Sequence, residues 1–260
     1  METEKSDTIK FYDNIARDYD EQLRKGLLEK IIRKHFQQKL INVFKPNDRI
    51  LELSCGTGTD AIFMAKSGLK VTATDISPGM IKTANQKILK ENLSSSIETI
   101  VMDMENLKYK IKNIYDGAIS NFDGLNFIKN PAEFAADLSK VLKPKSSVIF
   151  TLLNNKCAWE FIYYILKLNP KKAIGFIRKR EKNYTSLVTL YSPAKFTGFF
   201  APYFNIKKIT GFGFIIPPDG LIGLQKHFIF KRAEKPDIFL ASGFPFRNFC
   251  DHYIIEMQLK

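Results

Sequence analysis

Cysteine is scarce: Cys55, Cys157 and Cys250 stand far apart, odd in number and without metal-ligand spacing. That argues against a disulfide framework and a cysteine-held metal, so no metal is expected and a reducing cytoplasm is the default location. No apolar run approaches the roughly 18 to 20 residues that span a bilayer, so no transmembrane helix is expected. The opening METEKSDTIK is polar and holds two glutamates. It reads as neither a secretory signal nor an arginine-rich transit peptide. Histidine is rare too, three in 260 residues, which leaves few candidates for a general base. Internal repeats and low-complexity tracts are missing, which sets aside solenoids and linker proteins.

Apolar residues are plentiful at 45%, enough to build the core of one large α/β domain. The formal net charge is +13, a balance that suits a solvated lysine-rich surface, nucleic acid, anionic membranes or acidic small molecules. It is unevenly spread. Residues 156–182 hold eight Lys/Arg and two Glu, so this short stretch supplies +6.

Along the chain, residues 8–44 read as a helical cap, with Leu27, Leu28, Ile31, Ile32, His35, Phe36, Leu40 and Ile41 at helical spacing. Strands are predicted at 49–53, 71–74, 97–102, 115–120 and 147–153, with helices between them. Ser77 and Pro78 supply an N-cap and a first helical residue. Strand and helix alternate five times, which implies parallel pairing with helices on both faces. A helix at 193–200 and strands at 204–211 and 252–258 complete the pattern. The expected architecture is therefore a Rossmann-like, doubly wound, mostly parallel seven-stranded sheet. It forms a single domain: the cap, a core at 45–153, a lid insertion at 154–190, and a carboxy-terminal part at 191–260. The last contains a second, loop-rich insertion at 216–248.

Sheets of this kind bind ligands outside the carboxyl ends of their strands. Ile50 to Thr59 sits at such an end and contains Gly56 and Gly58, which let a backbone approach a ligand closely. Asp75 ends the second strand, 17 residues after Gly58, where a carboxylate can accept both ribose hydroxyls. Asp103 ends the third. Gly56, Gly58 and Ala61 also fit the dinucleotide fingerprint, but Glu52 just before the loop would repel a pyrophosphate. No lysine follows the glycines to grip a phosphate. A nucleoside with a cationic tail fits best.

Residues 11–154 resemble class I S-adenosylmethionine-dependent methyltransferases of the broad small-molecule group that includes the ubiquinone/menaquinone C-methyltransferases. Four pieces carry the resemblance: Phe11 to Asp20 (FYDNIARDYD), Leu51 to Gly58 (LELSCGTG), Thr74 to Met80 (TDISPGM) and Leu142-Lys143-Pro144. It implies S-adenosylmethionine as cofactor, S-adenosylhomocysteine as product, and a set of roles. Glu52 would lie near the amino group of the methionine moiety, with Ser54, Gly56 and Gly58 lining the loop. Asp75 would hold the ribose, Ile76 and Met80 would flank the adenine, and Asp103 would take its amine with Met104 beside it. Asn121 would sit near the methionine part, and Tyr12 and Tyr19 would close the cap over the site or pack in the core. The chain departs from the family pattern at Glu52, often Asp, and at Pro144-Lys145-Ser146, often Pro-Gly-Gly.

Methyl transfer from a sulfonium needs positioning more than a dedicated catalytic group. Among the histidines, His35 reads as structural. His252 follows Asp251, but adjacent strand residues point to opposite faces, so it also reads as structural. His227, in the second insertion, is the catalytic candidate, reaching a substrate pocket from that side. Ser120 to Gly124 is not the Asn-Pro-Pro-Tyr type of signature, which leaves oxygen or carbon acceptors most open. The apolar 158–166 and the basic 167–182 suggest a lid over a small hydrophobic or anionic substrate. Peripheral contact of 156–182 with an anionic membrane is the second reading, and RNA binding the third. A non-catalytic protein that binds the cofactor or a partner on this fold, and a dehydrogenase, remain as other classes.

Overall fold

The computed structural model describes residues 2–23, 25–168 and 188–260. Seven strands form one sheet: β1 Arg49–Leu53, β2 Lys70–Asp75, β3 Ile97–Val101, β4 Tyr115–Ser120, β5 Leu142–Leu153, β6 Phe204–Phe212 and β7 His252–Leu259, in the order β3-β2-β1-β4-β5-β7-β6. The first five pair in parallel. β7 runs antiparallel between β5 and β6. The sheet is thus mixed, and the parallel pairing inferred from strand–helix alternation stops at β5. The order reverses between β1 and β4, which creates the switch-point crevice.

The central strands β1, β2, β4 and β5 are buried on both faces over most of their length because neighbouring residues serve opposite layers. Leu51, Leu53, Tyr115, Phe150 and Tyr253 pack with Phe196, Phe200 and Phe204 on one side. Ile50, Ile119, Ile149 and Ile254 pack with Phe36, Leu40 and Met64 on the other. Three helices start with the same chemistry. Ser77, Asn130 and Ser192 each accept a backbone N–H with the side chain, and a proline follows each in the first turn.

The cap comprises helices Glu2–Ile15, Tyr19–Leu23 and Leu27–Val43, and so begins before residue 8. Its last helix buries Leu28, Ile31, Ile32, Phe36 and Leu40. Ile41, expected in the same stripe, is 43% exposed. β5 begins five residues earlier than predicted, and Lys145 takes a left-handed φ of 62° in the stretch where the resemblance calls for glycine.

The segment 216–248 is not loop-rich. It holds helices Ile222–Gln225, Phe228–Lys231 and Glu234–Ser242. Prolines punctuate it without preventing helix. The turn after β6 is held by one side chain: buried Asp237 accepts the backbone N–H groups of Gly213, Phe214, Ile215 and Ile216. After β5, helix Ala158–Leu166 is described; most of the basic stretch within 156–182 lies outside the described residues. Among the described residues, no helix is long and apolar enough to cross a membrane.

Candidate functional site

The chain turns sharply at the carboxyl end of β1. Ser54, Gly56 and Gly58 have φ of 55°, 54° and 72°. Cys55 N–H donates to Thr74 O at 2.9 Å, and Gly56 N–H donates to Asp75 Oδ2 at 2.9 Å. Ser77 N–H takes the other Asp75 oxygen at 2.9 Å. Asp75 therefore pins the loop to β2 before it meets any ligand. Burial raises its pKa, and hydrogen bonds from Ser77, Gly56 and Ile76 oppose the rise.

Glu52 is 2% exposed, and its Oε2 has no hydrogen-bond partner. Burial, then the charge of Asp60, pushes its carboxyl well above the usual range, against the pull of Arg33. Asp60 is satisfied by contrast. Arg33 donates to it at 2.9 Å, Gln37 at 2.8 Å and Asn121 at 2.9 Å. The Arg33 guanidinium lies 4.5 Å from the centre of the Phe122 ring.

A single cleft gathers most of the predicted residues. Tyr12, Tyr19, Glu52, Ser54, Gly56, Asp75, Ile76, Met80, Asp103, Met104 and Asn121 line it. Gly58 does not. It caps helix Thr59–Lys66, and a Cβ there would come within 3.1 Å of Ala84 Cβ, so its work is in the turn and in packing. His227 lies outside the cleft on an exposed turn, ring against Phe228 and Phe230. Among the described residues, nine charged side chains line the cleft. Asp20, Glu52, Asp60, Asp75, Asp103 and Glu105 oppose Lys5, Arg33 and Lys129.

The cap closes the cleft with groups whose roles sequence reasoning missed. Lys5 pairs with Asp103. Asp13 accepts from Ser77 Oγ and Gly79 N–H, fastening helix Glu2–Ile15 to the start of helix Pro78–Lys90. Asp20 accepts from Thr57, Thr59 and Lys87. Burial pushes the Asp20 carboxyl up, but these partners outweigh it and hold it below the usual range. Tyr12 packs edge-on against Tyr19 and Phe127. Asp13 and Asp20 fall inside the FYDNIARDYD motif, which was the available signal. Arg33 and Asp60 carried none beyond their place on helices.

A family profile described as "Methyltransferase domain" matches residues 50–145. The uncharacterized protein MJ1252 of Methanocaldococcus jannaschii is 31% identical over 185 residues, covering 71% of this chain and 67% of its own. The malonyl-[acyl-carrier protein] O-methyltransferase of Priestia megaterium is 32% identical over 152 residues, 56% of this chain and 51% of its own. The chain belongs to the class I S-adenosylmethionine-dependent methyltransferases. Against solved structures, the methyltransferase overlays geranyl diphosphate C-methyltransferase from Streptomyces coelicolor A3(2) with a TM-score of 0.57 over 87% of this chain and 78% of that one. Identity there is 13%, so that likeness speaks for the fold alone.

The methyltransferase holds a second group of ionisable side chains beside the cleft. Between cleft-lining Phe122 and Gly124, Asp123 has a φ of 66° and brings Oδ2 within 3.3 Å of His252 Nε2. Asp251 Oδ2 lies 2.8 Å from His252 Nδ1. This corrects the reading of Asp251 and His252 as facing apart: β7 starts at His252, so the alternation rule does not extend to Asp251. Burial lowers the His252 pKa, but Asp123 and Asp251 outweigh it and hold the imidazole well above its ordinary value. His35 matches its structural reading, 3.0 Å from Glu234 Oε1 and tilted over Phe212.

Proposed function

We propose that the methyltransferase transfers a methyl group from S-adenosylmethionine to a small hydrophobic or anionic acceptor, at oxygen or carbon. The observation that carries this is the buried, unpartnered Glu52 oxygen in an acidic cleft at the β1/β4 switch point. An orphaned buried acceptor is costly unless a ligand supplies its donor. The ammonium and sulfonium of S-adenosylmethionine are attracted by such a lining, whereas a pyrophosphate is repelled by it. When bound, the cofactor supplies an activated methyl carbon for in-line displacement.

In this reading Glu52 takes the ammonium, and Arg33, whose charge opposes the rise of the Glu52 pKa, balances the carboxylate. Ser54, Gly56 and Asn121 surround the methionine part. Asp75, held by the backbone N–H groups of Gly56, Ile76 and Ser77, keeps its outward lone pairs for the ribose hydroxyls. Ile76, Met80 and Met104 sandwich the base, and Asp103 accepts from its amine as Lys5 gives way. Tyr12 and Tyr19 exclude water. Where the acceptor is a hydroxyl, the new bond to carbon leaves a proton to be placed, and Asp123 backed by His252 takes it in place of His227. The O-methyltransferase named for malonyl-[acyl-carrier protein] supports an anionic oxygen acceptor.

The test is turnover. The protein is incubated with methyl-labelled S-adenosylmethionine and a panel of phenols, carboxylates and quinols, and label in product is counted. Label transfer that is abolished by Asp75→Ala is expected. Binding without transfer to any acceptor supports the non-catalytic alternative instead.

A further inference from the structure

Helix Ala158–Leu166 is apolar on every side. Its sequence, AWEFIYYIL, has one charged residue, and it buries none of its side chains. Ile162 is 42% exposed, Ile165 48%, Leu166 77% and the following Leu168 90%. Helix Pro193–Phe200, of similar length, buries Phe196 and Phe200. Scattered exposed aliphatics are ordinary, but a contiguous group marks a contact surface.

The group is contiguous. Trp159 packs its ring 5.9 Å from Phe230 and donates Nε1–H to Ile215 O at 3.1 Å, and Ala158 N–H donates to Phe249 O. This joins the helix to the segment carrying Leu224, Phe228 and Ile229, which are 49%, 65% and 54% exposed. Both segments leave the sheet at the carboxyl end of β5 or return to it at the start of β7, the edge that also bears the cleft.

The charges left without an ion-pair partner around this surface are basic: Glu160 in the helix has a partner of its own, and Glu234 pairs with Lys34 and His35. Lys156, Lys167, Lys226, Lys231, Arg232 and Lys235 lie on the two segments, and none forms an ion pair with a described carboxylate. Elsewhere lysines do pair: Lys66 with Glu91, Lys108 with Glu133, Lys143 with Asp116. A second copy is a poor occupant, because two faces of unpaired cations repel. Nucleic acid would answer the cations but leave Leu166, Leu168 and Ile229 without apolar partners. An anionic bilayer answers both, taking short apolar helices to headgroup depth and attracting the lysines around them.

We propose that helix Ala158–Leu166, together with Leu224, Phe228 and Ile229, docks the methyltransferase on anionic membrane surfaces. This rests on the reading of a hydrophobic acceptor in one respect: docking at the cleft edge lets an amphiphilic acceptor enter from the lipid.

The experiment is flotation of the full chain with vesicles of phosphatidylcholine alone and of phosphatidylcholine mixed with phosphatidylglycerol, at low and high salt, with neither cofactor nor acceptor present. Binding is expected on the mixed vesicles at low salt, with weakening in high salt and little binding to phosphatidylcholine. Phe228→Ser with Leu166→Ser should weaken it about tenfold or more, and Lys226→Glu with Lys231→Glu by about as much. S-adenosylmethionine affinity of both variants, read by calorimetry, should stay within about twofold, which shows that the fold and the cleft are intact. No flotation at low salt overturns the proposal, as does equal flotation on uncharged vesicles. A concentration-dependent dimer, or a gel shift with bulk RNA, that Phe228→Ser abolishes while flotation persists assigns the surface to that partner instead. Each outcome leaves the cofactor reading to be judged separately by the calorimetry.

Discussion

The cleft and the surface beyond β5 and β6 are made of opposite materials. Among the described residues, six acidic side chains face three basic ones in the cleft, although the chain as a whole is +13. The outer surface pairs exposed aliphatic and aromatic side chains with unpaired lysines. Net charge alone left a solvated lysine-rich surface, nucleic acid, anionic membranes and acidic small molecules all open. Local charge assigns cations to the cleft and anions to the outside. The difference teaches that the sign of a protein's field is decided where the charges are buried, since exposed charges are screened within about 10 Å at moderate salt and buried ones are not.

The comparison breaks most sharply at Asp75. Its carboxylate bonds Gly56 and Ser77 and, in this account, the ribose. Asp75→Ala should weaken S-adenosylmethionine about 100-fold by calorimetry, the loss expected for charge-assisted hydrogen bonds, with Asp75→Asn between it and wild type. A change of less than threefold would leave the cleft without its ribose anchor. Glu52→Gln comes next. In this account its charge serves the amino-acid end alone, so affinity for S-adenosylmethionine should fall about tenfold while affinity for adenosine stays within about twofold. Equal loss for both would make Glu52 part of the scaffold.

A smaller effect tests the joint between cap and outer surface. Burial, then the charge of Asp219, raises the pKa of Glu29 from 4.5 to about 8. A carboxyl raised on folding binds its proton more tightly in the folded state. Stability is therefore full below the unfolded value and falls as pH climbs from there towards 8. Glu29→Gln should melt like wild type near pH 4 and higher by roughly 2–4 °C above pH 8; thermal unfolding across that range decides it. The smallest effect is Lys145→Gly, which relieves a left-handed residue and should stabilise by about 1 kcal/mol or less in urea titration.

Much of the core was legible because its signals are local. Strand runs, the Ser-Pro cap and the position of Asp75 depend on neighbours in sequence. Glu52, Asp75 and Asp103 were found because strand ends converge on one edge of a doubly wound sheet. What escaped depends on contacts between distant elements. Asp237, which serves four N–H groups from 24 to 21 residues away, turns a proline-rich stretch into an ordered one, and nothing in the periodicity announces it. β7 entered antiparallel between β5 and β6 although helices lie between β6 and β7, so strand–helix alternation could not announce it. Asp123 and His252 are 129 residues apart, so the pair was invisible, and His227 was left as the candidate because His35 and His252 read as structural and it stood in an insertion. Gly58 was read as a ligand-facing glycine when its conformation and the approach of Ala84 explain it.

The central claim is that the acidic cleft takes a cationic nucleoside. Titration calorimetry of the full chain with S-adenosylmethionine and, separately, with a nicotinamide dinucleotide tests it most directly. The account predicts one-to-one binding of S-adenosylmethionine, lost in Asp75→Ala, and no measurable heat from the dinucleotide. Dinucleotide binding with no response to S-adenosylmethionine would contradict it.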